Sequence, residues 1–157
     1  MMIHIDQGGS VAKTKYFFDN LNRYDIQYDV IGFSYYPWWQ GTLTDLRNNL
    51  AFTANRYHKD IIVVETAYHW RSNHETAAQS EPFPETPDGQ RDFLDAVAGV
   101  VMNTPGGLGK GVFWWEPAVG GHSGLVSRSF FDEDGNSLPV LDAFDKYTRP
   151  APVPNRQ

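Results

Sequence analysis

Asp29-Val30-Ile31-Gly32-Phe33-Ser34-Tyr35-Tyr36-Pro37-Trp38-Trp39 runs apolar for most of its length and is stopped by a proline. A short run without polar alternation reads as a strand buried on both faces, the pattern of a parallel sheet. Three further runs of this kind occupy residues 2–5, 60–65 and 111–115, and the strand in the stretch quoted falls at 28–34. Helical patterns lie between them. Leu43, Leu46, Leu50, Ala54 and Tyr57 recur at spacings of three and four, with Thr42 or Thr44 placed to cap the helix. Phe93, Leu94, Val97, Val100 and Val101 form a second stripe, preceded by Asp88 and ended by Pro105-Gly106-Gly107. A less regular helix is expected near 11–24, and a last one over 138–147 with Pro139 in its first turn.

Strand and helix therefore alternate four times, which predicts an α/β fold with a parallel sheet and right-handed crossovers. Two architectures suit four such units. One is a (βα)4 half of a TIM-type (β/α)8 barrel, whose full form needs about 250 residues; the other is an open flavodoxin-like four-stranded sheet. In both, ligands bind at the carboxyl ends of the strands. One domain over residues 1–149 is expected, followed by a Pro-rich tail at 150–157 that reads as unstructured.

The chain has 157 residues, a net charge of -6 and no Lys/Arg-rich run, so neither nucleic acid nor a membrane surface is an expected partner. With Cys 0, disulfides, thiolate catalysis and zinc–sulfur sites are excluded. The apolar runs fall short of the roughly 20 residues that span a bilayer. Met1-Met2-Ile3-His4-Ile5-Asp6 lacks the basic and long apolar regions of a signal peptide, and localisation stays unassigned.

The strand ends carry the chemistry. They read His4-Ile5-Asp6, then Ser34 through Trp39, then Glu65-Thr66-Ala67-Tyr68-His69-Trp70, then Trp114-Trp115-Glu116-Pro117. Carboxylates can supply nucleophile and proton donor for glycoside chemistry, and aromatic faces stack on sugar C–H faces. Glu65 and Glu116 are the candidate catalytic groups, and Asp6, Tyr35, Trp38, Trp70, Trp114 and Trp115 the candidate substrate contacts. Each has a structural alternative: a strand-end Glu also accepts backbone or Trp N–H bonds, and a lone Trp is more often core. Adjacent strand residues face opposite ways, so at most one of Trp114 and Trp115 meets a ligand.

Other patterns point nowhere in particular. His69, His74 and Glu75 do not have helical zinc spacing, and no metal is expected. Asp132, Asp134 and Asn136 suggest a calcium loop, but Gly135 comes one place early and Ala143 stands where the closing glutamate belongs, which favours an Asp-Gly turn. Gly106-Gly107-Leu108-Gly109 precedes a strand rather than following one, so no phosphate loop and no cofactor are expected.

The stretch 29–39, together with Val63-Val64-Glu65-Thr66-Ala67-Tyr68 and Gly111-Val112-Phe113-Trp114-Trp115-Glu116-Pro117-Ala118, resembles three consecutive motifs of the family 53 glycoside hydrolases, the endo-β-1,4-galactanases. Order, spacing and the intervening Leu-rich helix match over about residues 2–147. The resemblance implies strands five to eight of a (β/α) barrel, β-1,4-galactan or arabinogalactan as substrate, and retaining hydrolysis with Glu65 as nucleophile. Relatives carry their acid/base in an Asn-Glu pair at the fourth strand, and no Asn-Glu dipeptide occurs in this sequence. Retention needs two carboxyls about 5–5.5 Å apart. Two copies around a two-fold axis would close an eight-stranded ring, placing Glu116 of one copy opposite Glu65 of the other. A homodimer is therefore expected. The competing expectation is a weakly catalytic galactan-binding half-barrel, or a truncated fragment.

Overall fold

The computed structural model describes residues 1–73, 82–120 and 123–147. Four strands, β1 (Met2–Ile5), β2 (Val30–Tyr35), β3 (Asp60–Thr66) and β4 (Gly109–Trp114), form one sheet in which every pair is parallel and the order is β1-β2-β3-β4. Sequential order separates the two predicted architectures. A flavodoxin-like sheet reverses direction at a switch point and carries helices on both faces, whereas a barrel winds one way with all its helices outside. Helices α1 (Val11–Arg23), α3 (Leu43–Tyr57) and α4 (Pro87–Met102) pack as neighbours in a single layer, so the sheet is a half-barrel.

The core lies between that layer and the outward side of the sheet. Ile31, Phe33 and Tyr35 of β2 and Ile61 and Val63 of β3 meet Phe18, Leu46, Leu50, Phe93 and Val97 there, all buried. The opposite side of the sheet is open at the edge strands β1 and β4, which corrects the expectation of burial on both faces there, whereas β2 is buried on both, Gly32 and Ser34 included. Met2 at one edge is 44% exposed and Phe113 at the other 58%. The alternation of β2 and β4 puts Gly32 and Ser34 on this inner side and sends Val112 and Trp114 to the core.

Helix α3 starts where the sequence predicts. Thr42 Oγ1 accepts the Asp45 backbone N–H at 3.2 Å, and the Asp45 carboxylate accepts the Thr42 N–H at 2.7 Å, a reciprocal cap. Replacing Thr42 by Ala is expected to cost about 1 kcal/mol of unfolding free energy in a denaturant titration. Two elements depart from expectation. A four-residue helix α2 (Pro37–Gln40) follows β2 directly, its proline preset for a first turn. The last helix exists, over Pro139–Lys146, but is wound as a 3-10 helix and docks on α4 through Val140 and Ala143. The tail at 150–157 lies outside the described residues.

Candidate functional site

The carboxyl ends of the strands share one rim, and a β-bulge decides what faces it. Phe33 pairs with Val63, but the next residue, Ser34, pairs with Glu65, so Val64 is an extra residue in β3. Simple alternation after Val63 would point Glu65 at the helix layer. The inserted residue instead puts Glu65 on the inner side beside Ser34 and returns Thr66 to the core, where its hydroxyl donates to the Tyr35 carbonyl at 2.6 Å. Ser34 Oγ–H donates to Glu65 Oε2 at 2.5 Å, and His4 Nε2 lies 2.8 Å from the same Oγ.

Loops after the strands are tied to one another. Gln40 donates to the Asp6 carbonyl and accepts from the Tyr36 backbone N–H at 2.7 Å, joining the ends of β1 and β2. Trp70 bonds the backbone carbonyls of Ser127 and Val126 through its main-chain and indole N–H groups, at 2.8 and 2.9 Å. The Trp114 indole donates to the Arg128 carbonyl at 2.7 Å, and buried Gln90 from α4 donates to the Tyr68 and Ser129 carbonyls. This holds residues 125–130 across the ends of β3 and β4.

Arg128 then lays its guanidinium over the rings of Trp38 at 5.4 Å and Tyr36 at 5.9 Å. Burial pushes the Tyr36 phenol above its ordinary range; the Glu65 charge adds to this, Arg128 opposes it, and Glu116 adds again. Tyr36 therefore stays protonated between two carboxylates and a cation. Glu116 has a positive φ of 62°, a left-handed conformation that favours glycine and costs a side-chain-bearing residue on the order of 1–3 kcal/mol. It makes no hydrogen bond or ion pair to the described residues and is half-buried at the rim.

Glu65, Glu116, Asp6 and Trp115 lie at the carboxyl ends of the strands, the last 44% exposed. Asp6 is exposed and accepts from the Gln7 amide at 2.8 Å. Tyr35 is corrected: fully buried on the helix side, stacked on Phe93 and bonded to the Gly41 carbonyl, it cannot meet a ligand. Trp114 is corrected likewise, as it packs edge-on to Phe93 and against Phe130 in the core. Trp38 is only 6% exposed, a wall beneath Trp39 rather than a platform. Trp70 is half-buried beneath the Arg71 guanidinium. Sequence reading placed His4, Ser34 and Tyr36 among the strand-end residues without giving them a role, and missed Arg128. The phase of β2, with Ile31, Phe33 and Tyr35 on one side, assigns Tyr35 to the core; Arg128 sits in a Ser-rich loop that carries no periodic signal.

Among the described residues no cluster of three metal-ligating side chains occurs, and His74 and Glu75 lie outside them. Asp132 accepts backbone N–H groups of Asp134 and Asn136, with Gly135 at φ 83°, which is the Asp-Gly turn expected. No helix among the described residues is long and apolar enough to cross a membrane.

A family model described as "Glycosyl hydrolase family 53" matches residues 1–144. A Niallia circulans protein named for its position in the bgaB 5′ region is 39% identical over 91% of this chain and 44% of its own length. The endo-β-1,4-galactanase of Bacillus subtilis is 35% identical over 99% of this chain and 47% of its own. Among solved structures, a catalytic domain of the same family from Ignisphaera aggregans superposes with a TM-score of 0.82 at 24% identity, over 91% of this chain and 45% of that one. The chain thus spans about half the length of the curated relatives it matches.

Proposed function

Because this chain belongs to glycosyl hydrolase family 53, we propose that its rim serves retaining hydrolysis of β-1,4-linked galactan, with Glu65 as nucleophile. The observation that carries the reading is the bulge in β3, which turns Glu65 onto the inner side at the carboxyl end of the strand. In a barrel that is where a group must stand to reach a sugar. Glu65 attacks the anomeric carbon as the glycosidic oxygen leaves, and water later releases the sugar. Trp115 and Trp39, both exposed at the rim, offer faces for sugar stacking.

Retention needs a second carboxyl to protonate the leaving oxygen, about 5–5.5 Å from the first. Glu116 of a second copy fills that role in our reading. Two half-barrels joined β4 to β1 make a ring of eight parallel strands, covering Met2, Phe113 and the inner side that one copy leaves open. Sedimentation velocity of the purified chain is expected to give a dimer that releases reducing ends from β-1,4-galactan. A stable monomer removes the ring. A dimer whose Glu116→Gln variant keeps the full rate removes Glu116 from the acid role. The second reading is a galactan binder with little turnover, and galactan binding without release of reducing ends selects it.

A further inference from the structure

Three strands contribute one side chain each to a hydrogen-bonded line on the inner side of the sheet: His4 from β1, Ser34 from β2, Glu65 from β3. The two contacts are 2.8 Å and 2.5 Å. We propose that this line is a positioning relay for Glu65 in which the proton on His4 Nε2 fixes the direction of the Ser34 hydroxyl. The proposal rests on the reading of Glu65 as nucleophile.

The direction follows from counting protons. A serine hydroxyl has one hydrogen, and an ionised carboxylate only accepts. Ser34 must therefore spend its hydrogen on Glu65, leaving Oγ as an acceptor toward His4. The imidazole must then carry its proton on Nε2. With that proton in place, the Ser34 O–H has one favourable orientation, and Glu65 is held by Oε2 with Oε1 left for the anomeric carbon. Were the proton on Nδ1 instead, Nε2 would compete with Glu65 for the same hydroxyl hydrogen.

The sheet is built to allow the reach. His4 is paired in register with Gly32, and Ser34 lies two residues further along the same side. A Cβ at Gly32 would come within 3.4 Å of His4 Cβ and 3.2 Å of both Val64 methyl groups. Glycine leaves this space to the Val64 methyl groups and the His4 Cβ. Ser34 itself is 1% exposed, whereas His4 is exposed on the edge strand.

The test separates the relay from the nucleophile assignment. The purified chain is given 2,4-dinitrophenyl β-galactobioside, whose leaving group needs no proton. The bond from Glu65 to C1 forms as the bond from C1 to the phenolic oxygen breaks, and the phenolate departs with the electron pair. Ser34→Ala is expected to slow phenolate release about ten- to a hundredfold with KM little changed. His4→Ala is expected to slow it as well, while His4→Gln, which keeps a donor near the Nε2 position, stays within about threefold of the parent. Since His4 acts only through Ser34, the double Ala variant should be no slower than Ser34→Ala alone. Additive losses, or a His4→Ala variant with the parent rate, overturn the relay.

Phenolate release no faster than that of Glu65→Gln defeats the nucleophile assignment and not the relay. Ring ¹⁵N shifts of neutral His4 decide the relay without any turnover. An Nε2–H tautomer that becomes mixed in Ser34→Ala supports it, and an Nδ1–H tautomer in the parent overturns it.

Discussion

Glu65→Gln is expected to lower hydrolysis of an activated galactoside by on the order of 10⁴-fold or more, the scale on which removal of a covalent nucleophile acts. The amide is nearly isosteric and accepts the Ser34 hydroxyl through its carbonyl oxygen, so the rim should keep its shape. Only the charge and the nucleophilic lone pair go. That makes the variant a clean probe: the measurement is phenolate release at saturating substrate, with circular dichroism and denaturant midpoint as controls on folding. A 2-deoxy-2-fluoro analogue should add one glycosyl mass to the parent, on the peptide containing Glu65, and none to the variant. Label on another carboxylate, such as Asp6 or Glu116, would reassign the chemistry within the same rim.

The half-barrel was legible because its signals are local. Four apolar runs, their helical stripes and the Thr42 cap each depend on residues close in sequence, and the structure has all of them. The last element kept its place and its Pro139 start but changed winding, since an eight-residue segment docked by Val140 and Ala143 is held by those contacts more than by propensity. The site was less legible. Glu65 stands two residues after core-facing Val63, and only the inserted Val64 turns it to the inner side, whereas Tyr35 follows the plain alternation of β2 to the core. No residue type announces that insertion. Trp114 fell to the core and Trp115 to the rim by the phase of β4, which the sequence constrained to one of the pair without choosing. Arg128 and Ser127 reach the rim because Gln90, Trp70 and Trp114 bind the backbone around them, contacts 14 to 57 residues apart that no spacing rule joins.

His69 sets how the fold responds to acid. Its ring is fully buried, stacked on Trp38 at 4.9 Å, with Nδ1 2.8 Å from Ser127 Oγ and Nε2 without a partner among the described residues. Burial, helped by the Arg128 charge, brings its pKa from the ordinary 6.5 down to about 4. The unfolded chain therefore binds a proton here before the folded chain does, and stability rises with pH through this window. It is complete above about 6.5 and falls as the pH drops toward 4, for a loss of about 3 kcal/mol. The carboxylates held low by hydrogen bonds or ion pairs, Asp19, Asp29, Asp45, Asp95 and Asp132, start from 3.8 and are lowered from there. The stability they bring is lost mainly below that window, so the fall between 6.5 and 4 belongs to His69. Urea titrations at fixed protein concentration, at pH 7 and pH 4.5, should show it. His69→Asn keeps a hydrogen-bonding atom near Nδ1 and removes the titration, so its stability should be nearly flat between the two pH values. An equally steep fall in that variant would assign the acid sensitivity to another group.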